Sequence, residues 1–347
     1  MSVLAVLLVL AACALNTAAV HHRTKRVHDP KGYVYHLHSI THPYMTNGMT
    51  IPNWDFYGST VVTDDYIRLT PDRQSRRGSL WNTVPFNPPG DEEYPGFEIN
   101  LQFRVHGQGT RLFGDGMAVW YTKDRALEGP VFGNQDKFIG MGVFFDTYSN
   151  LHQGHSQYIS VMFGDGMLSY DHDSDGGASR VAGCPIRFRS TADDDHPVYA
   201  RIVYQNNLLR VYIDADDDGG WPECFIVRRV YLPRNYYFGL TAATGDLADN
   251  HDVISMKVSE PSGMSQAERE EVKRRIEEDM KREAESGGSK VPVDPQYGDE
   301  VTKGNAGDND DSNTLTIAAV IIVLVIVAVA GYFVFVKTKK DTRKFDF

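Results

Sequence analysis

The feature that most constrains this chain lies near its end. From Leu315 to Val336 there is no charged side chain, and Ile, Val, Ala and Leu dominate. A run of roughly 20 apolar residues is what a helix needs to cross the ~30 Å hydrocarbon core of a bilayer. Lipid offers no water to exposed backbone groups, so a single span of this kind must be helical. Tyr332 and Phe333 stand near its end, where aromatic rings favour the interface. The acidic stretch Asp308 to Asp311 precedes it, and Lys337, Lys339, Lys340, Arg343 and Lys344 follow at once. Positive charge stays on the cytosolic side. A transmembrane helix is therefore expected at 315–336, with a cytosolic tail at 337–347 and everything earlier in the lumen.

A second apolar run, Val3 to Val20, ends in Asn16-Thr17-Ala18-Ala19. It is short and finishes in small residues, as signal peptidase requires, although it lacks a basic leading region. Residues 1–19 read as a cleaved signal peptide, with an N-terminal membrane anchor as the alternative. The lumen is oxidising. Cys13 falls in the signal, so Cys184 and Cys224 remain and are expected to pair as a disulfide rather than stay as free thiols. The net charge of -11 argues against nucleic acid as a partner, which would need clustered Lys and Arg.

Between the two apolar ends the chain changes character twice. After a 20–48 extension, residues 49–260 carry short apolar alternations separated by Gly, Asp, Asn and Pro clusters. Glu98 to Val105, Tyr158 to Phe163, Val198 to Tyr204, Leu208 to Ile213 and Tyr236 to Thr241 are examples. Period-two alternation without intervening helices predicts an all-β antiparallel sandwich. Residues 261–314 read as a stalk. Ser265 to Glu285 is rich in Glu, Lys and Arg and predicts a helix over 265–285. Its apolar seam of Val272, Ile276 and Met280 is thin, so a solvated helix is expected, with a short coiled coil as the alternative. The remainder has no apolar periodicity and reads as a disordered linker. There is no Asn-X-Ser/Thr sequon.

Four segments carry chemistry. Phe144 to Asn150 runs an apolar strand into Asp146, Tyr148 and Asn150, spaced two apart and so able to share one side of an extended chain. Calcium takes 6–8 oxygen ligands, carboxylates and backbone carbonyls among them. Ser169 to Gly176 adds His172 and Asp175. Phe113 to Trp120 sets Asp115 between two glycines ahead of a strand, and Gly245-Asp246-Leu247 offers backbone donors in a glycine-containing loop.

In this order these segments resemble the L-type (leguminous-type) lectins of the early secretory pathway, closest to the vesicular integral membrane mannose-binding lectins. The resemblance runs from about His36 to Ser259. It is supported by Trp54 to Thr60, Ile67 to Pro71, Gly78 to Asn82, Gly129 to Gly133, Tyr237 to Gly239 and Thr244 to Asp252. It implies a legume-lectin-like sandwich (jelly roll) and a calcium ion held by Asp146, Tyr148, Asn150 and Asp175. It implies a mannose site of Asp115, Asn150, His172, Gly245, Asp246 and Leu247, with Ser79 more peripheral. It also implies the Cys184–Cys224 disulfide and a cis peptide at Gly114–Asp115. Asp115 would accept from vicinal sugar hydroxyls while Asn150 and the loop amides donate.

The expected function is calcium-dependent binding of high-mannose N-glycans by a cargo receptor or quality-control lectin between ER and Golgi. An alternative is a membrane cargo adaptor that recognises protein partners through a degenerate sugar site. A glycoside hydrolase on the same fold would need two carboxylates across a sugar bond, and no Glu-X-Asp-X-X-Glu cluster is present. In the tail, Lys344, Phe345 and Phe347 resemble the family's export signal for vesicle coat components. Asp346 interrupts the aromatics, and only Lys344 fits the family's pair of basic residues.

Overall fold

The computed structural model describes residues 28–46, 49–148, 157–190 and 196–263, with single positions 270, 274 and 281. The segments expected as the signal peptide, most of the stalk helix at 265–285, the linker, the membrane span and the tail lie outside the described residues. Among the described residues no helix is long and apolar enough to cross a membrane.

The chain folds into strands β1 (Trp54–Gly58), β2 (Val61–Val62), β3 (Ile67–Thr70), β4 (Arg77–Asn82), β5 (Phe97–His106), β6 (Gly116–Thr122), β7 (Glu128–Gly129) and β8 (Gly133–Asn134). It continues with β9 (Ile139–Asp146), β10 (Tyr158–Asp165), β11 (Ala182–Pro185), β12 (Val198–Gln205), β13 (Leu208–Asp214), β14 (Glu223–Arg228), β15 (Tyr237–Ala243) and β16 (Asn250–Ser259). Two seven-stranded sheets result. The front sheet is ordered β1-β4-β15-β6-β9-β10-β11 and the back sheet β14-β13-β12-β5-β16-β3-β2, with every named pair antiparallel. This is the expected two-sheet antiparallel sandwich.

Strand alternation explains the two apolar layers. In β5, Phe97, Ile99, Leu101, Phe103 and Val105 all face the interior and are fully or nearly fully buried. Met117, Val119 and Tyr121 of β6 and Val143 and Phe145 of β9 meet them from the front sheet. Phe86, Phe97, Tyr121 and Phe238 form the centre, with ring centroids 4.9–6.2 Å apart. The alternate residues of the same front strands point outward. Trp81, Ala118, Trp120, Phe144 and Met162 form a second cluster there, covered by Val131, Phe132, Phe138 and Tyr170 from the connecting loops. A front sheet buried on both faces is what lets a pocket form on its outer side.

Two devices close the edges of the sandwich. β3 is short and, besides β2, pairs with no more than the first part of β16. The segment 28–46, expected as an extension ahead of the domain, covers part of what β3 leaves open. Tyr35 N–H donates to Val258, and Ile40 exchanges both backbone bonds with Met256. Buried Asn82 anchors this segment by donating to the Leu37 and Asn53 carbonyls while its Oδ1 meets His38 Nδ1 at 2.7 Å. At the other side, Cys184 of β11 and Cys224 of β14 form the expected disulfide, Cα–Cα 5.5 Å. It joins an edge strand of one sheet to an edge strand of the other.

Closing a loop with a sequence separation of 40 stabilises by roughly 3–4 kcal/mol in the chain-entropy picture. The Cys184→Ser/Cys224→Ser protein is expected to lose that much in a urea titration, with a steeper slope because the released denatured chain exposes more surface. Equal midpoints for the two proteins would contradict the staple.

Candidate functional site

Strand register brings the predicted residues together. Gly116, the first residue of β6, lies opposite Ala243 at the end of β15 and opposite Asp146 at the end of β9. Asp146 in turn lies opposite Tyr158 at the start of β10. Asp115, the loop 244–249 and the turn after Asp146 therefore leave the same end of the front sheet. Alternation sends Asp146 to the outer face with Phe144, while Phe145 enters the core. The connection from β10 to β11 returns across that outer face. Its Tyr170 ring packs against Phe132 and Phe144 at 5.8 and 5.1 Å, and it carries His172 and Asp175 over the same spot.

The result is a cavity of about 340 Å³ lined by Asp115, Pro130, Phe132, Asp146, Tyr148, Tyr170, His172, Asp175, Ala243, Asp246 and Leu247. Of the predicted site residues, Asp115, Asp146, Tyr148, His172, Asp175, Asp246 and Leu247 line it. Gly245 stands behind Asp115. Asn150 lies outside the described residues. Ser79 lies apart from these walls, in the middle of β4 between Tyr57 and Thr241 and on the same face as Trp81. Pro130, Phe132 and Tyr170 supply an apolar wall to which the sequence assigned no role. The signal for Pro130 and Phe132 was the Gly129 to Gly133 stretch, three apolar residues between glycines.

The Gly114–Asp115 peptide is cis, as expected. The Asp115 carbonyl accepts from both the amide and the hydroxyl of Thr147, each at 3.0 Å. Its carboxylate accepts the Gly245 amide. A Cβ at Gly245 would stand 3.0 and 3.1 Å from the two carboxylate oxygens, so a side chain here would press the Asp115 carboxylate out of place. The loop is held from outside. Thr244 bonds Arg73 and Arg76, the Ser75 amide donates to the Gly245 carbonyl at 3.0 Å, and Gln74 Nε2 donates to the Asp246 carbonyl at 2.6 Å. Tyr170 and His172 meet edge to face at 4.9 Å.

The electrostatics are those of acids brought together in a desolvated pocket. Asp146 and Asp175 are 8% and 7% exposed. Burial pushes the Asp146 carboxyl well above its usual range; the Tyr148 amide, donating to it at 2.9 Å, opposes this, and the charges of Asp175 and Asp115 push it further. Burial also raises Asp115 to about 6, against the Gly245 amide and with the charge of Asp246. Carboxylates that repel one another in a desolvated pocket stay ionised together only beside a cation. Asp146, Asp175 and Tyr148 line this cavity together and offer oxygen donors of the kind a hard divalent ion takes. What the geometry presents is a polar cleft with a metal-compatible floor, an oriented carboxylate and one apolar wall.

Comparison with known proteins agrees with this geometry. Residues 31–267 match the model of the legume-like lectin family. The chain is similar to the mouse VIP36-like protein, 43% identical over 249 residues, covering 70% of this chain and 69% of that protein. It is similar to the human vesicular integral-membrane protein VIP36, 45% identical over 225 residues, covering 64% of this chain and 61% of that protein. The matched part is thus under two thirds of the human relative's length. Among solved structures it resembles the exoplasmic/lumenal domain of VIP36 crystallised with Ca2+ and Man3GlcNAc. That likeness has a TM-score of 0.59 and 43% identity, and covers 67% of this chain and 94% of the other. The chain belongs to the legume-like lectin family.

Proposed function

We propose that this protein is a calcium-dependent lectin that binds high-mannose N-glycans on glycoproteins and carries or inspects them in the early secretory pathway, without catalysis. The observation that supports this most is the Asp115 carboxylate, oriented by the Gly245 amide and set beside the buried Asp146 and Asp175. The relative crystallised with Ca2+ and Man3GlcNAc has the same fold. In this reading Asp146, Tyr148, Asn150 and Asp175 hold the ion. Calcium, when bound, supplies positive charge and fixes the surrounding loops.

The chain's own groups do the recognition. Asp115 accepts hydrogen bonds from two adjacent mannose hydroxyls, which a carboxylate does with charge-assisted strength. The amides of Gly245, Asp246 and Leu247 and the Asn150 side chain donate, and His172 contributes from the opposite side, with Ser79 further out. The Phe132 and Tyr170 wall meets the less polar face of the ring. Loops already held by the 73–76 segment lose little freedom on binding.

The organisation proposed around this domain follows the sequence. It comprises a signal peptide at 1–19, an extension at 20–48, the lectin domain at 49–260, a stalk at 261–314, a membrane span at 315–336 and a cytosolic tail at 337–347. A single-pass type I protein so built faces the lumen with its sugar site. Its tail, through Lys344, Phe345 and Phe347, faces the vesicle coat.

Three outcomes are expected. Asp115→Ala abolishes binding to a high-mannose glycan array, and chelation does the same to the unsubstituted protein; retained binding in either sample would sink the lectin reading. Asp146→Asn removes a carboxyl whose raised pKa costs stability at every pH above its unfolded value of about 4. The calcium-free variant is expected to melt higher than the calcium-free parent at neutral pH, by roughly 2–4 °C per kcal/mol relieved. It should show no further rise with calcium, and a calcium-induced rise equal to the parent's would contradict the assignment. Asp115 must be ionised for both of its oxygens to accept with charge-assisted strength, and burial raises its pKa to about 6 without a cation. Glycan affinity is therefore full above that pH and falls as pH drops through it. Added calcium favours the ionised form and should move the midpoint lower. A midpoint indifferent to calcium would separate Asp115 from the ion.

A further inference from the structure

Behind the pocket lies a buried ion pair that the sugar-binding reading does not use. Arg189 and Asp249 have side chains 5% and 0% exposed. Arg189 Nε donates to both carboxylate oxygens, at 3.0 and 2.8 Å, and Nη2 donates to Oδ1 at 2.7 Å. The same Nη2 also donates to the carbonyls of Gly107 at 3.2 Å and Gly109 at 2.8 Å. The guanidinium lies over the Phe113 ring, 4.1 Å from its centroid.

These partners belong to two different pocket loops. Gly107, Gly109 and Phe113 lie on the segment between β5 and β6 that ends in Gly114–Asp115. Asp249 closes the segment from β15 to β16 that carries Gly245, Asp246 and Leu247. The fit between them is close: a Cβ on Gly107 would collide with the Asp249 carboxylate. Arg189 is itself fixed, because its amide and that of Phe188 both donate to Gln157 Oε1, at 2.8 and 2.7 Å. The outer support of the 244–247 turn comes from residues 73–76, as described above. Behind the pocket this guanidinium ties that loop to the Asp115 loop, and Asp72 adds a second link by accepting the Gln108 amide at 2.8 Å and donating its own amide to Asn250 Oδ1 at 2.9 Å.

We infer that Arg189 is a positioning residue for glycan binding, clamping the acceptor loop of Asp115 to the donor loop of Gly245–Leu247 through Asp249. This rests on the lectin reading of the same pocket. A sugar that bonds to Asp115 and to the Gly245–Leu247 amides at once needs the spacing of the two loops set in advance. A planar fork with several fixed donors can hold a carboxylate and two carbonyls together; a lysine ammonium on a flexible stem can hold the charge but not that geometry. Arg189→Lys keeps the buried pair neutral while loosening the tie.

The test uses the full chain in detergent micelles with saturating calcium, and a free high-mannose oligosaccharide as probe. Arg189→Lys is expected to bind it about tenfold more weakly by calorimetry, the effect of releasing loops that were ordered beforehand. Its calcium affinity should stay within about twofold of the parent, a split that general destabilisation would not produce. Amide hydrogen exchange should quicken at 107–113 and 244–249 and not in β5 or β9. If Arg189→Lys shows no cooperative melt, Arg189→Met/Asp249→Leu replaces both buried charges by apolar groups of similar size, and the same loss of glycan affinity is expected. Glycan affinity within twofold of the parent in a folded variant overturns the clamp, as does an equal fall in glycan and calcium affinity. If the unsubstituted protein fails to bind the oligosaccharide, the lectin reading falls. Exchange then decides the clamp alone, unchanged protection at 107–113 and 244–249 counting against it.

Discussion

The pocket depends on where β6 sits. Its neighbours are β15 and β9, and the register places Ala243, Gly116 and Asp146 in one row across the sheet. That row fixes which loops share an end and which side chains share a face. A one-residue slip of β9 against β6 would turn Asp146 toward the core and Phe145 outward. The interior prevents it, because Phe145 is fully buried between the sheets and packs on Phe103 and Phe188 at 5.0 and 5.9 Å. Aromatic packing in the core thus sets the address of a carboxylate outside it.

The second constraint opposes the first. Apolar packing places Asp146 where water is scarce, and its neighbours there are other acids. A sandwich could bury a leucine at that position with less cost. A carboxyl held there either keeps its proton, as its raised pKa describes, or ionises beside a counter-charge, so its state responds to pH and to cations. Asp115 is the milder case: it is half-buried, sustained by one backbone donor, and raised to about 6 by burial.

Much of this was readable in the residues. Alternation in Phe144-Phe145-Asp146 separated the face of the acid from the face of the core, and the glycines around Asp115 and at Gly245 marked close approach. The two-sheet fold and the disulfide were also within reach, from strand spacing and from the lumenal setting. Sheet order was not, because β6 and its partner β15 are far apart in the chain, with Trp120 and Thr241 bonded across 121 positions. For the same reason Ser79 could not be seen to lie in mid-strand, away from the pocket walls. Nor could Arg189 and Asp249 be paired, since a lone arginine in a loop and an acid at a strand start carry no local pattern. The wall of Pro130, Phe132 and Tyr170 went unassigned because apolar residues between glycines look alike whether they fill a core or face a ligand.

The segment at 28–46 bears on how such a chain reaches its final form. Its bonds to β16 link positions as distant as Ser39 and Val258, 219 residues apart. Contacts of that separation form late, since the intervening chain must be ordered before the ends can meet. During synthesis the earliest part of the domain therefore waits for the last strand. Until β16 arrives, the back sheet lacks the strand between β5 and β3, and the Thr244–Asp249 loop has no following strand to return along. The sandwich and its pocket are then completed by one closing event, so a truncated or stalled nascent chain would display neither a finished sheet nor a working site.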